Sequence, residues 1–165
     1  MDAWTKEYFH KLYLEHADRV YRICLMYLKR EGDAKDAMQD VFLKIWDKKP
    51  DFNDENHAKS WIIRTTKNYC LDILKSNWWS KRSDLPPEEI PERPEEESDP
   101  DYELMSKIRM LKEKFQVVLY LYYYEEYSVK EIADIVGKSE STIQSRLAAG
   151  RAKLKKLIET GKEVS

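Results

Sequence analysis

The chain has 165 residues, room for one medium domain or two small ones. Its formal charge is −2, yet residues 83 to 103 hold ten acids against Arg93; the remainder carries 28 bases and 21 acids, a net of +7 that suits phosphate contact. No apolar run approaches the roughly 18 residues of a membrane span, nothing resembles a signal peptide, and two cysteines without metal-ligand spacing read as reduced core thiols. A cytoplasmic protein with no membrane insertion, metal or cofactor is expected.

Residues 1–80 read as all-helical. Ala17, Val20, Tyr21, Cys24, Leu25 and Leu28 mark the buried stripe of a first helix ending near Gly32. Asp33 is placed to cap a second, whose Ala34, Ala37, Met38, Val41, Phe42 and Ile45 face inward. Asp33, Asp36, Asp40 and Asp47 follow one another at spacings of three, four and seven, an acidic stripe opposite that core. Such a stripe is by itself ordinary solvated surface.

Pro50 ends the segment, and Asp51 to Ala58 read as a polar loop. A third helix is predicted from about Ser60 to Ser76, with Ile62, Ile63, Thr66, Cys70, Ile73 and Leu74 inside. Trp61, Arg64, Asn68, Leu71 and Lys75 take the opposite face, with Lys67 nearby. From Lys59 to Arg82 there are six bases and one acid, Asp72.

Residues 81–102 contain five of the six prolines and most of the acid run, a composition that reads as a flexible linker. The helical pattern returns with Leu104, Ile108, Leu111, Phe115, Leu119 and Tyr122. The run Tyr120-Leu-Tyr-Tyr-Tyr124 continues this stripe and reads as helix core rather than a base-stacking platform. Ser128 and Glu131 then form a capping box, and Ile132, Ile135 and Val136 an apolar face; Ala133 is small where helices cross, and Gly137 suits a positive φ. Ser139 or Ser141 caps a last helix carrying Ile143, Leu147, Leu154 and Leu157. Two short helices around a glycine turn, the second basic, make a helix-turn-helix within residues 103–165.

Three segments together resemble the extracytoplasmic-function (ECF) group of RNA polymerase sigma factors, in the sigma-70 family. Asp33-Ala-Lys-Asp-Ala-Met-Gln-Asp-Val-Phe-Leu-Lys-Ile-Trp46 is similar to its polymerase-binding helix, region 2.2. Trp61-Ile-Ile-Arg-Thr-Thr-Lys-Asn-Tyr-Cys-Leu-Asp-Ile-Leu-Lys75 is similar to the melting and −10 recognition helix, regions 2.3 and 2.4. Ser128 to Leu147 is similar to region 4.2. The resemblance implies an all-α fold of two small domains, region 2 over 1–80 and region 4 over 103–165, joined by the flexible acidic linker.

It also implies a non-enzymatic factor that binds core RNA polymerase through the β′ coiled coil and β flap, directs initiation from −10 and −35 elements, and answers to an anti-sigma factor. Asp33, Asp36, Gln39, Asp40 and Phe42 would face the basic β′ coiled coil. Trp61, Arg64, Lys67, Asn68 and Lys75 would hold the melted −10 strand, beside a base pocket at Phe52 to Ala58. Ser141, Thr142, Gln144, Ser145, Arg146, Ala148 and Arg151 would meet the −35 element, with Gln144 suited to adenine where the family more often has a lysine or arginine. Lys153, Lys155 and Lys156 add positive charge there. The linker would act as a tether or follow the polymerase RNA channel. Trp78 and Trp79 would pack at the lobe's end or touch DNA near the −10 element.

Two other readings use the same helix-turn-helix. A stand-alone regulator would need no acidic stripe and would usually dimerise on a palindrome. A sigma-like adaptor would have lost DNA binding. An enzyme is disfavoured: no Gly-rich phosphate loop or His-Glu-x-x-His motif occurs, and His10, His16 and His57 form no evident ligand set.

Overall fold

The computed structural model describes residues 4–76 and 100–160, all of whose regular structure is helical. The chain divides into two compact units, Met1–Ile90 and Pro91–Ser165. Trp78, Trp79 and nearly all of the acidic segment lie outside the described residues.

The first unit contains α1 (Lys6–Leu28), α2 (Glu31–Lys48) and α3 (Glu55–Lys75). The Thr5 hydroxyl opens α1 by accepting the Tyr8 N–H at 3.1 Å. All residues from Ile23 to Leu28 are buried, since α1 packs against both other helices. Its stripe therefore widens into a fully enclosed end.

The α1–α2 turn differs from the expected one. Lys29 closes α1 in the left-handed region, at φ 67°, and Arg30 is the N-cap of α2. Gly32 is thus an exposed residue of the first turn of α2, not the end of α1. Asp33 is likewise inside the helix and not its cap. Its carboxylate still suits the positive end of the helix dipole.

Aromatic side chains close the other end of the α1–α2 pair. Phe9 packs edge-on against Trp46 and Phe42, and Tyr13 lies 4.9 Å from Phe42. Trp4 donates its indole N–H to the Pro50 carbonyl at 2.9 Å, tying the start of α1 to the end of α2. Asp54 then caps α3 by accepting the His57 N–H at 2.7 Å. The predicted loop from Asp51 to Ala58 is consequently shorter, and Glu55 to Ala58 are helical.

The second unit contains α4 (Pro100–Ile108), α5 (Glu113–Tyr123), α6 (Val129–Val136) and α7 (Glu140–Thr160). The stripe from Leu104 to Tyr122 is not one helix. It breaks at residues 109–112, where the buried Gln116 amide donates to the Arg109 and Leu111 carbonyls. Beyond the break, every residue from Phe115 to Leu121 is buried.

Both halves of the expected capping box are present, at 3.0 and 3.1 Å. Gly137 takes φ 77°. Ser139, rather than Ser141, holds the start of α7 by accepting the Thr142 N–H at 3.1 Å. α7 packs closely on α5 at Gly150: a Cβ there would lie 3.2 Å from Leu119 Cδ1, so the Leu119 side chain would have to give way.

Candidate nucleic-acid and protein-binding surfaces

On α2, the residues expected to meet a protein partner separate into two groups. Asp36, Gln39, Asp40 and Asp47 are exposed. Asp33, 7% exposed, and Phe42, 4% exposed, are buried. Both therefore leave the candidate contact set: Asp33 turns inward beside Ala34 and Ala37, while Phe42 fills the aromatic cluster with Phe9 and Tyr13.

Leu43, missed in the sequence, takes their place. It is 60% exposed and falls three residues after Asp40 and seven after Asp36, on the same face. The signal was its exclusion from the inward stripe. Asp40 is not loose: its Oδ2 accepts the Tyr69 hydroxyl of α3 at 2.5 Å. Burial first, and then that carboxylate, pushes the Tyr69 phenol well above its ordinary value. Lys44 sits 4.8 Å from the same ring, so the acidic face is edged by a base.

On α3, Arg64, Asn68 and Lys75 are exposed as expected. Trp61 is half-buried, with the Phe52 ring 5.6 Å away. Lys67 is only 8% exposed, which removes it from phosphate contact. Its position, four residues after Ile63 and three before Cys70, places it on the buried side of the helix.

The predicted pocket loop borders a cleft of about 420 Å³. Phe52, Asn56 and Lys59 line one wall; Tyr8, Lys11 and Arg19 of α1 line the other. No local motif marked the α1 residues, because only the tertiary fold brings α1 against the start of α3. At the cleft, Nη1 of Arg19 lies 2.5 Å from Nδ1 of the buried His16. In the core of the same unit, Cys24 and Cys70 are free and buried. A hydrogen bond to Cys70, then burial, drives the Cys24 thiol far above its ordinary range, which keeps it unreactive.

On α7, Ser141, Gln144, Ser145, Ala148 and Arg151 are exposed, and Thr142 and Arg146 are half-buried. Thr142 spends its N–H on the Ser139 cap. Arg151 donates from Nε to the Tyr123 hydroxyl at 2.7 Å. The tyrosine run splits accordingly. Tyr120 is core and donates to Glu125 at 2.5 Å, whereas Tyr123 is 48% exposed. The core expectation thus fails for Tyr123, which lies at the open end of α5.

Among the described residues, no group of three or more His, Cys, Asp or Glu is placed to hold a metal. None of the described helices is long and apolar enough to cross a membrane.

Residues 12–80 match the family model for sigma-70 region 2, and residues 102–154 match that for sigma-70 region 4. The RNA polymerase sigma factor SigZ of Bacillus subtilis is 34% identical over 166 residues, spanning 96% of this chain and 86% of SigZ. The chain belongs to the sigma-70 family. Within that family it is an ECF-type sigma factor, which directs promoter-specific transcription initiation. The ECF RNA polymerase sigma factor SigE of Mycolicibacterium smegmatis is 26% identical, spanning 94% of this chain and 61% of SigE.

The solved sigma factor RpoE, in complex with the anti-sigma factor NepR from Bartonella quintana, shares the fold. Its TM-score is 0.74 at 19% identity, spanning 96% of this chain and all of RpoE. CnrH, in complex with the cytosolic domain of CnrY, gives 0.64 at 20% identity, spanning 98% and 94%. Sigma factors bind core RNA polymerase and promoter DNA and are generally non-enzymatic. The stand-alone regulator and adaptor readings gain nothing from these matches, since a region 2 match precedes the helix-turn-helix.

Proposed function

We propose that this sigma factor divides its work among three surfaces. The α2 face of Asp36, Gln39, Asp40 and Leu43 docks on the basic β′ coiled coil of core polymerase. Like charges on one face favour a cationic partner, and Leu43 supplies apolar contact at its centre. Arg64, Asn68, Lys75 and Trp61 hold the melted −10 strand. The neighbouring cleft, whose lining mixes the bases Lys11, Arg19 and Lys59 with the acids Glu15, Asp54 and Glu55, takes a flipped base beside Phe52 and Tyr8.

The exposed face of α7 enters the −35 major groove. Gln144 reads adenine there, and Ser141, Ser145 and Arg146 position the helix. The same unit would meet the β flap. No catalytic role is assigned to any residue. The chain would act in the cytoplasm under an anti-sigma partner, as RpoE is solved with NepR.

The observation that carries this reading is the exposed acidic face of α2 in one unit together with a capped helix-turn-helix in the other. Run-off transcription with core polymerase and a promoter library tests it; absence of a specific transcript would overturn it. Asp36→Arg combined with Asp40→Arg should abolish polymerase capture while the far-UV helical signal is retained. Undiminished capture would sink the α2 assignment.

A further inference from the structure

Gln144, Ala148 and Arg151 share one exposed face of α7, at spacings of four and three. Arg151 lies two turns beyond Gln144, about 10 Å along the helix axis. Its side chain is already held by another helix. Nε–H donates to the Tyr123 hydroxyl at 2.7 Å, and the guanidinium carbon lies 5.3 Å from the Tyr122 ring centre and 5.8 Å from that of Tyr123. The two rings meet edge-to-face at 5.0 Å. Ala148, one turn before Arg151 on the same face, is exposed and presents only a methyl group.

We propose that Tyr122 and Tyr123 form a cradle that fixes Arg151 as a clamp on a backbone phosphate at the edge of the groove read by α7. Tyr123 is then a positioning residue for promoter affinity. The proposal rests on the −35 reading of α7.

The donor arithmetic is favourable. With Nε–H spent on Tyr123, the two Nη groups remain as a planar fork for two phosphate oxygens. Because its oxygen accepts from Arg151, the Tyr123 hydroxyl keeps its own proton to donate to the same phosphate. Attraction to the Tyr122 ring, together with the bond to the Tyr123 hydroxyl, restrains the guanidinium before DNA arrives, so less side-chain freedom is lost on binding. A lysine at this position would offer a point charge without the fork or the Nε tether. The contact carries no base information and strengthens binding to every −35 sequence alike.

The test measures binding of polymerase holoenzyme, assembled with the full chain, to a promoter recovered by run-off selection, over a salt series. Arg151→Ala should weaken binding and lower the slope of log affinity against log salt by about 1. Tyr123→Phe should weaken binding about three- to tenfold, leaving slope, −35 base preference and thermal midpoint unchanged. In the Arg151→Ala background, Tyr123→Phe should have no further effect, and the separate variant Arg151→Lys should fall short of wild-type affinity.

Additive effects of the two substitutions, or no effect of Tyr123→Phe beside a clear loss in Arg151→Ala, would overturn the cradle. Gln144→Ala separates this from failure of the underlying reading. If it leaves −35 preference intact and Arg151→Ala leaves the salt slope intact, the −35 assignment of α7 falls, and the clamp with it.

Discussion

Asp40 offers a charge to a partner while one of its oxygens is committed to Tyr69. That bond limits the rotamers of an exposed aspartate and links α2 to α3. It also sets a pH dependence. Burial and the carboxylate raise the Tyr69 phenol in the folded state above its unfolded value of about 10. Stability from the neutral phenol is therefore fully present below about pH 10 and is lost as pH climbs toward the folded value. Tyr8, raised mainly by burial, acts in the same direction. Urea midpoints measured across alkaline pH should fall for the wild type, and less steeply for Tyr69→Phe. At Gln144 the outcome concerns specificity. An amide pairs well with adenine N6 and N7, and a guanidinium with guanine O6 and N7. Gln144→Arg should shift the preferred −35 base from adenine to guanine, read by selection from a randomised −35 library with holoenzyme.

Each element of the second unit serves to present α7. The capping box starts α6, Gly137 ends it at φ 77°, and Ser139 starts α7 three residues after α6 ends. Each device satisfies backbone groups that a short helix would otherwise leave open. At Gly150 the Leu119 side chain of α5 occupies the space beside α7 that a larger residue would need. Gly150→Leu should force these helices apart and cost about 1–3 kcal/mol, seen as a lower urea midpoint. Promoter affinity should fall with it, because Tyr123 on α5 and Arg151 on α7 would no longer meet. An unchanged midpoint would mean that this crossing tolerates bulk.

At the scale of the whole molecule, charge is segregated along the chain. Ten acids between residues 83 and 103 oppose a net +7 elsewhere. Replacing those ten with Asn or Gln should raise affinity for random-sequence duplex at low salt, with a steeper salt dependence, measured by anisotropy of labelled DNA. Equal affinity would show that the acids do not screen the basic surfaces. This segregation was legible in the linear chain, as were the helical class, the capping box and the Gly137 turn. Each depends on neighbours within about one helical turn. The exposure of Asp36, Asp40, Gln144 and Ala148 was legible too, since helical spacing sorts residues onto faces. Spacing alone could not settle which flank of a stripe a packed neighbour covers. Asp33 and Lys67 sit at such flanks and are buried, while Leu43 falls outside the inward stripe and stays exposed. Nor could it join residues distant in sequence. Tyr8 and Lys11 facing Phe52, Tyr69 holding Asp40, and Tyr123 holding Arg151 are all made by helices crossing. By itself the sequence determined the elements, their caps and their charge, which are local properties. Only the tertiary structure decided which side chains those elements cover, expose or hold in place, because burial is set by what packs from elsewhere in the chain.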